Sequence, residues 1–99
     1  MKLRIQSINF DATSQLEAHI NKKVSKLEKF FDELQAVDVY LKVVKPETAD
    51  NKTAEIKILI PNVEFFASKT CDTFEEAIDL SVDALEKQVR KHREKYIKK

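Results

Sequence analysis

The sequence predicts an α+β fold in the order β-α-β-β-β-α, a four-stranded sheet with two helices packed on one face. Three observations predict it. Four short segments alternate apolar and polar residues with period two. Two longer segments place apolar residues at three- and four-residue steps. Each helical segment opens on a Thr or Ser with a carboxylate three residues on. Two amphipathic helices each need an apolar surface, and one sheet face serves both.

Residues 2–8 set Leu3 and Ile5 against Lys2, Arg4 and Gln6, which predicts a first strand. Ser14 and Glu17 have capping-box spacing, and Leu16, Ile20, Val24, Leu27 and Phe31 follow as one stripe of a helix of about 15–20 residues. Residues 37–44 alternate again, with Val37, Val39, Leu41 and Val43 on one face. Pro46 to Asn51 breaks that pattern. Residues 53–60 form a third strand through Ala54, Ile56, Ile58 and Ile60, and Val63 to Lys69 a fourth. The short connections make strands two to four an antiparallel meander. Thr73 and Glu76 repeat the capping spacing, and Phe74, Ile78, Ser81, Val82, Leu85, Val89 and Tyr96 mark the inner face of a helix reaching at least Lys95.

Glycine is absent from all 99 residues. Turns that need positive φ must therefore use Asn or Asp, and 49–52 and Pro61-Asn62 are the expected sites. Glycine-rich phosphate loops are excluded. The length supports one domain, 1–99, burying roughly 65% of its unfolded surface. No run approaches the roughly 20 apolar residues of a membrane span. Met1 to Ile5 reads as the start of a strand, with no signal peptide expected. The one cysteine, Cys71, permits no internal disulfide, and a cytoplasmic location is the expectation.

Charge is the functional signal. The chain carries +1 overall, yet seven of the residues from Lys87 to Lys99 are Lys or Arg and only Glu94 is acidic. On a helical wheel Lys22, Lys26 and Lys29 of helix 1 form one stripe, with Lys23 close by and Glu17 and Glu28 on the opposite flank. Helix 2 is acidic in its first half through Glu76, Asp79, Asp83 and Glu86. Its second half is basic through Lys87, Arg90, Lys91, Arg93 and Lys95. That gradient alone suits the helix macrodipole. The face-segregated lysines of helix 1 do not, and a combined basic surface suits a phosphate backbone.

Other candidates are weaker. His92, near the edge of the apolar face, has no partner ligands at metal-binding spacing, and His19 reads as an isolated surface histidine. Cys71 reads as a structural strand-end cysteine. The carboxylate pairs Asp72/Asp79 and Glu75/Asp79 read as surface decoration. No catalytic constellation, cofactor motif or metal site is found, so no enzyme is expected. Tyr40, Leu59 and Phe66 fall on the sheet face away from the core, where a strand-pairing cluster or a minor contact surface is a commoner role than base stacking.

The chain resembles, over essentially its whole length, the short form of the ribosome hibernation promoting factor and protein Y family. The resemblance is carried by Lys26-Leu27-Glu28-Lys29-Phe30-Phe31-Asp32, Val39-Tyr40-Leu41-Lys42-Val43, Ala67-Ser68, Ala77-Ile78-Asp79, and Leu85, Gln88, Lys91-His92 and Lys95. It implies a fold like the double-stranded RNA-binding domain, with two roughly parallel helices. It implies binding to the small ribosomal subunit and the 70S ribosome, on 16S rRNA in the messenger and transfer RNA channel. There it would block translation by steric exclusion and protect idle ribosomes, as part of a stress response. By matching position, Lys23, Lys26, Lys87, Lys91 and Lys95 are expected to contact RNA. The wheel adds Lys22, Lys29, Arg90 and Arg93. One departure is Asn62-Val63, where the family's third turn usually carries glycine. The sequence stops soon after helix 2, so a monomer is expected, with ribosome pairing left to a separate modulation factor or absent. Two alternatives stay open: a general double-stranded RNA-binding module, and a protein–protein interaction domain with a basic helix.

Overall fold

A computed structural model of the protein describes residues 1–8, 10–44 and 50–97, the last four of these as helix backbone. The elements are β1 (Lys2–Ile8), α1 (Ser14–Phe30), β2 (Ala36–Val43), β3 (Lys52–Ile60), β4 (Val63–Cys71) and α2 (Phe74–Ile97). The expected order holds throughout. The sheet order is β1-β2-β3-β4, with β1 parallel to β2 and the other pairs antiparallel.

Register explains the core. Ile5, Val39, Ile56 and Ala67 form one row across the four strands, and Leu3, Val37, Ile58 and Phe65 form the next. Because side chains alternate along each strand, these rows share one face. Val37, Ile56 and Ile58 are at most 1% exposed beneath Ile20, Leu27, Ile78 and Leu85 of the helices. The β1 residues Leu3 and Ile5 are only partly buried, as suits an edge strand. The opposite face carries Arg4, Asp38, Lys57 and Phe66 in one row and Gln6, Tyr40, Glu55 and Ser68 in another.

Each helix begins at a threonine. Thr13 Oγ1 accepts from the Leu16 N–H at 3.1 Å, so the cap of α1 lies one residue before the expected Ser14. The Ser14–Glu17 spacing is thus not the box: Ser14 is already the first helical residue, and Thr13 holds the extended backbone an N-cap requires. Thr73 Oγ1 accepts from the Glu76 N–H at 3.1 Å, as expected. Phe10 and Phe74 stack with centroids 4.9 Å apart, joining the approach to α1 to the start of α2.

The turns use the residues expected without glycine. Asp50 and Asn62 have φ of 57° and 70°. A short polar side chain tolerates this left-handed region better than other non-glycine residues do. Asn62 thus takes the place a glycine would hold between β3 and β4. Residues 45–49, including Pro46 and Ala49 of the expected break, lie outside the described residues.

α2 packs over β3 and β4. Ala54, Ala77 and Ser81 are all fully buried, and Ser81 Oγ donates to the Ala54 carbonyl at 3.4 Å. Small side chains at this crossing bring the helix close to the strand. No described helix is long and apolar enough to cross a membrane.

Candidate nucleic-acid interface

β1 and β4, the strands that precede the two helices, run the same way, and α2 meets α1 and the residues after it in matching order, Asp79 with His19 and Arg93 with Glu33, so α1 and α2 point in one direction. The contacts between them follow. His19 Nε2 lies 2.7 Å from Asp79 Oδ1, and Lys23 Nζ lies 3.5 Å from the same oxygen. Beyond the C-terminus of α1, Glu33 Oε1 accepts from the Arg93 guanidinium. His19 is therefore not isolated, and Asp79 is not surface decoration. Their link spans 60 residues of sequence, which local spacing does not reveal.

On α1, Lys22, Lys26 and Lys29 are exposed. With Lys23 and Ser25 they line a shallow concavity. On α2, Lys87, Arg90 and Lys91 are exposed and line a second concavity with Gln88. Gln88 Nε2 donates to the Phe66 carbonyl at 3.0 Å, which ties this stretch of α2 to the outer strand. None of these six cations has a carboxylate within ion-pair distance among the described residues.

Two further candidates are already engaged. Lys23 is half-buried beside Asp79. Arg93 pairs with Glu33 and lies 5.1 Å from the centroid of the Phe31 ring, a cation–π contact. A backbone hydrogen bond, with Arg93 beside it, holds the Glu33 carboxyl below the usual carboxylate range against a smaller opposing effect of burial. The side chain of Lys95 lies outside the described residues, as do Lys98 and Lys99 of the basic C-terminal run.

Asp79 and Arg93 both face α1, and Glu86 stands midway between them on the same seven-residue stripe. Its Oε2 is buried with no hydrogen-bond partner among the described residues. The two basic concavities thus flank a seam that carries carboxylates. Acid in the seam offsets repulsion between the flanks while leaving their outer surfaces positive. A surface of this kind suits several phosphate groups, each met by one cation.

The remaining candidates behave as ordinary structure. His92 meets the Phe65 ring edge-on at 5.4 Å. Cys71 is buried at the end of β4, and burial, with Glu76, Asp50 and Asp72 adding, pushes its thiol up. Among the described residues no cluster of His, Cys, Asp or Glu is placed to hold a metal.

Known proteins share this fold. A "ribosomal subunit interface protein" from Coxiella burnetii superposes with a TM-score of 0.81 over 94% of this chain and 98% of that one, at 19% identity, a likeness of fold. The Protein Y N-terminal domain from Thermus thermophilus superposes with a TM-score of 0.77 over 93% of this chain and 99% of that one, at 25% identity. The ribosome hibernation promoting factor of Azotobacter vinelandii is 30% identical over all of this chain and 89% of its own length. The ribosome hibernation promotion factor of Bacillus subtilis is 29% identical over all of this chain, which spans only 52% of that protein. Residues 3–97 match the family described as sigma 54 modulation protein / S30EA ribosomal protein, and this chain belongs to that family.

Proposed function

We propose that this protein is a ribosome hibernation factor. It binds the small ribosomal subunit through the outer surface of its two helices and inhibits translation by occupying the messenger and transfer RNA channel. The observation that carries this reading is the pair of basic concavities on parallel helices, six exposed cations on a chain whose net charge is only +1. Phosphate contacts would supply most of the affinity, and the shape of the ribosomal RNA site would set the selectivity. The action is steric and needs no catalysis. Membership of the family and the names of its relatives support the ribosome as the partner.

Sedimentation with purified small subunits, large subunits and 70S ribosomes at two salt concentrations tests this. Stoichiometric, salt-sensitive pelleting with small subunits and 70S ribosomes, and none with large subunits, is expected. Equal affinity for naked duplex RNA would instead favour a general double-stranded RNA-binding module. Binding that survives nuclease and follows a protein would favour the interaction-domain reading.

A further inference from the structure

Phe30 is half exposed at the end of α1. Single exposed apolar side chains are common and need no special role. Its surroundings set this one apart. Lys23, Lys26 and Phe30 occupy i, i+3 and i+7 of one helix, so the ring continues a line of lysines. Lys29 precedes it directly, and Lys23, Lys26 and Lys29 all line the α1 concavity. The core does not require Phe30 either. Leu27 and Phe31 fill the inner positions at this level, 0% and 6% exposed. Phe30 meets Phe31 at 6.2 Å between centroids, tilted by 43°, and its remaining surface faces out.

The ring is also held in place. Phe31 is itself held by the Arg93 guanidinium, which lies over its ring and which Glu33 anchors in turn. Phe66 is the other exposed aromatic side chain among the described residues, and it stands on the sheet face away from the helices. A flat apolar ring beside phosphate-binding cations is the arrangement that takes a nucleic-acid base, with backbone charge met by lysines and the π-face stacked.

We propose that Phe30 is a base-stacking platform that takes an unpaired RNA base at the end of the α1 lysine stripe. This rests on the ribosome-binding reading and adds the chemistry of one contact to it. A duplex would not present such a base, because its bases are stacked inside. The partner at this point is therefore a single-stranded or bulged nucleotide of the ribosomal RNA.

The chain has no tryptophan, so Phe30→Trp introduces a lone indole fluorophore. Its emission should be quenched when small subunits are added and recover when salt releases the protein. Phe66→Trp, on the open sheet face, serves as the control and should not be quenched. Phe30→Ala and Phe30→Leu should lower affinity about 5- to 100-fold, the range for losing one stacked base. Their salt slope should stay unchanged, because stacking releases no counterions. Equal melting temperatures would show that the variants fold. Affinity within twofold of the parent for both variants, without quenching of the indole, would overturn the stacking proposal and leave the ribosome reading intact. A brighter, blue-shifted indole would overturn it too, because that marks an apolar protein pocket. Failure of the unmodified protein to bind small subunits would overturn the ribosome reading and this proposal together.

Discussion

His19 Nε2 and Asp79 Oδ1 meet at 2.7 Å across the seam between the helices, and Lys23 reaches the same carboxylate oxygen from one turn further along α1. One acid thus ties α1 to α2 and holds back one of the lysines of the α1 concavity. The two roles give opposite predictions for one substitution. Asp79→Asn should lower stability by about 0.2–1 kcal/mol, the range for partly exposed pairs, and a double-mutant cycle with His19→Ala should recover most of it as coupling. The same variant should bind small subunits up to about 5-fold more tightly, because it removes a negative charge and releases Lys23. Denaturant unfolding and equilibrium binding would measure the two effects separately.

Glu33 predicts a pH dependence. Its carboxyl sits below the usual range in the folded chain, through its backbone hydrogen bond and the Arg93 charge. A depressed folded value means that the unfolded chain binds the proton more tightly. Its contribution to stability is therefore complete above the unfolded carboxylate value and is lost as pH falls through the folded one. Arg93→Ala should lower stability at pH 7 by no more than about 1 kcal/mol, given that both side chains are over a third exposed. Urea unfolding at pH 7 and pH 3 should show the difference between parent and variant shrinking at the lower pH.

Ser81 predicts an asymmetry of size. It is fully buried where α2 crosses β3, beside Ala54 and Ala77. Ser81→Ala keeps the volume and gives up one long hydrogen bond, so its cost should be within about 1 kcal/mol. Ser81→Leu overfills the crossing and should cost about 1–3 kcal/mol. Thermal melts of the two variants would separate packing from polarity.

Cys71 predicts low reactivity. Burial and three nearby carboxylates push its thiol up, so little thiolate is present near neutral pH. A thiol reagent should label the folded protein far more slowly than the urea-unfolded chain at pH 7.5. Equal rates would mean that Cys71 is open to solvent.

The fold was legible because its signals are local. The period-two segments centred on Val39 and Ile56 became strands that pair in register, and Asp50 and Asn62 took the positive φ expected of a chain without glycine. Ser81 joined the predicted inner face of α2 although it is polar, because the Ala54 carbonyl satisfies its hydroxyl. The cap of α1 shifted by one because Thr13 and Ser14 are adjacent and both competent; only backbone conformation distinguishes them. The lysine stripes were legible on a wheel, and exposure leaves Lys22, Lys26, Lys29, Lys87, Arg90 and Lys91 on the surface. What the wheel does not show is which acids lie opposite. The links from Asp79 to His19 and Lys23, and from Glu33 to Arg93, depend on two helices being placed side by side by the sheet. Phe30 was visible as part of a helix motif, but its half-exposed ring next to the basic concavity emerges only when Phe31 turns inward.

The salt dependence of binding to small ribosomal subunits tests the central claim most directly. The unmodified protein should lose affinity steeply as salt rises, on a linear log–log plot. Lys26→Ala/Lys29→Ala and Lys87→Ala/Lys91→Ala should each flatten the slope by roughly one unit per lost phosphate contact. A slope near zero for the unmodified protein, or variants of both pairs with its full slope, would contradict the account.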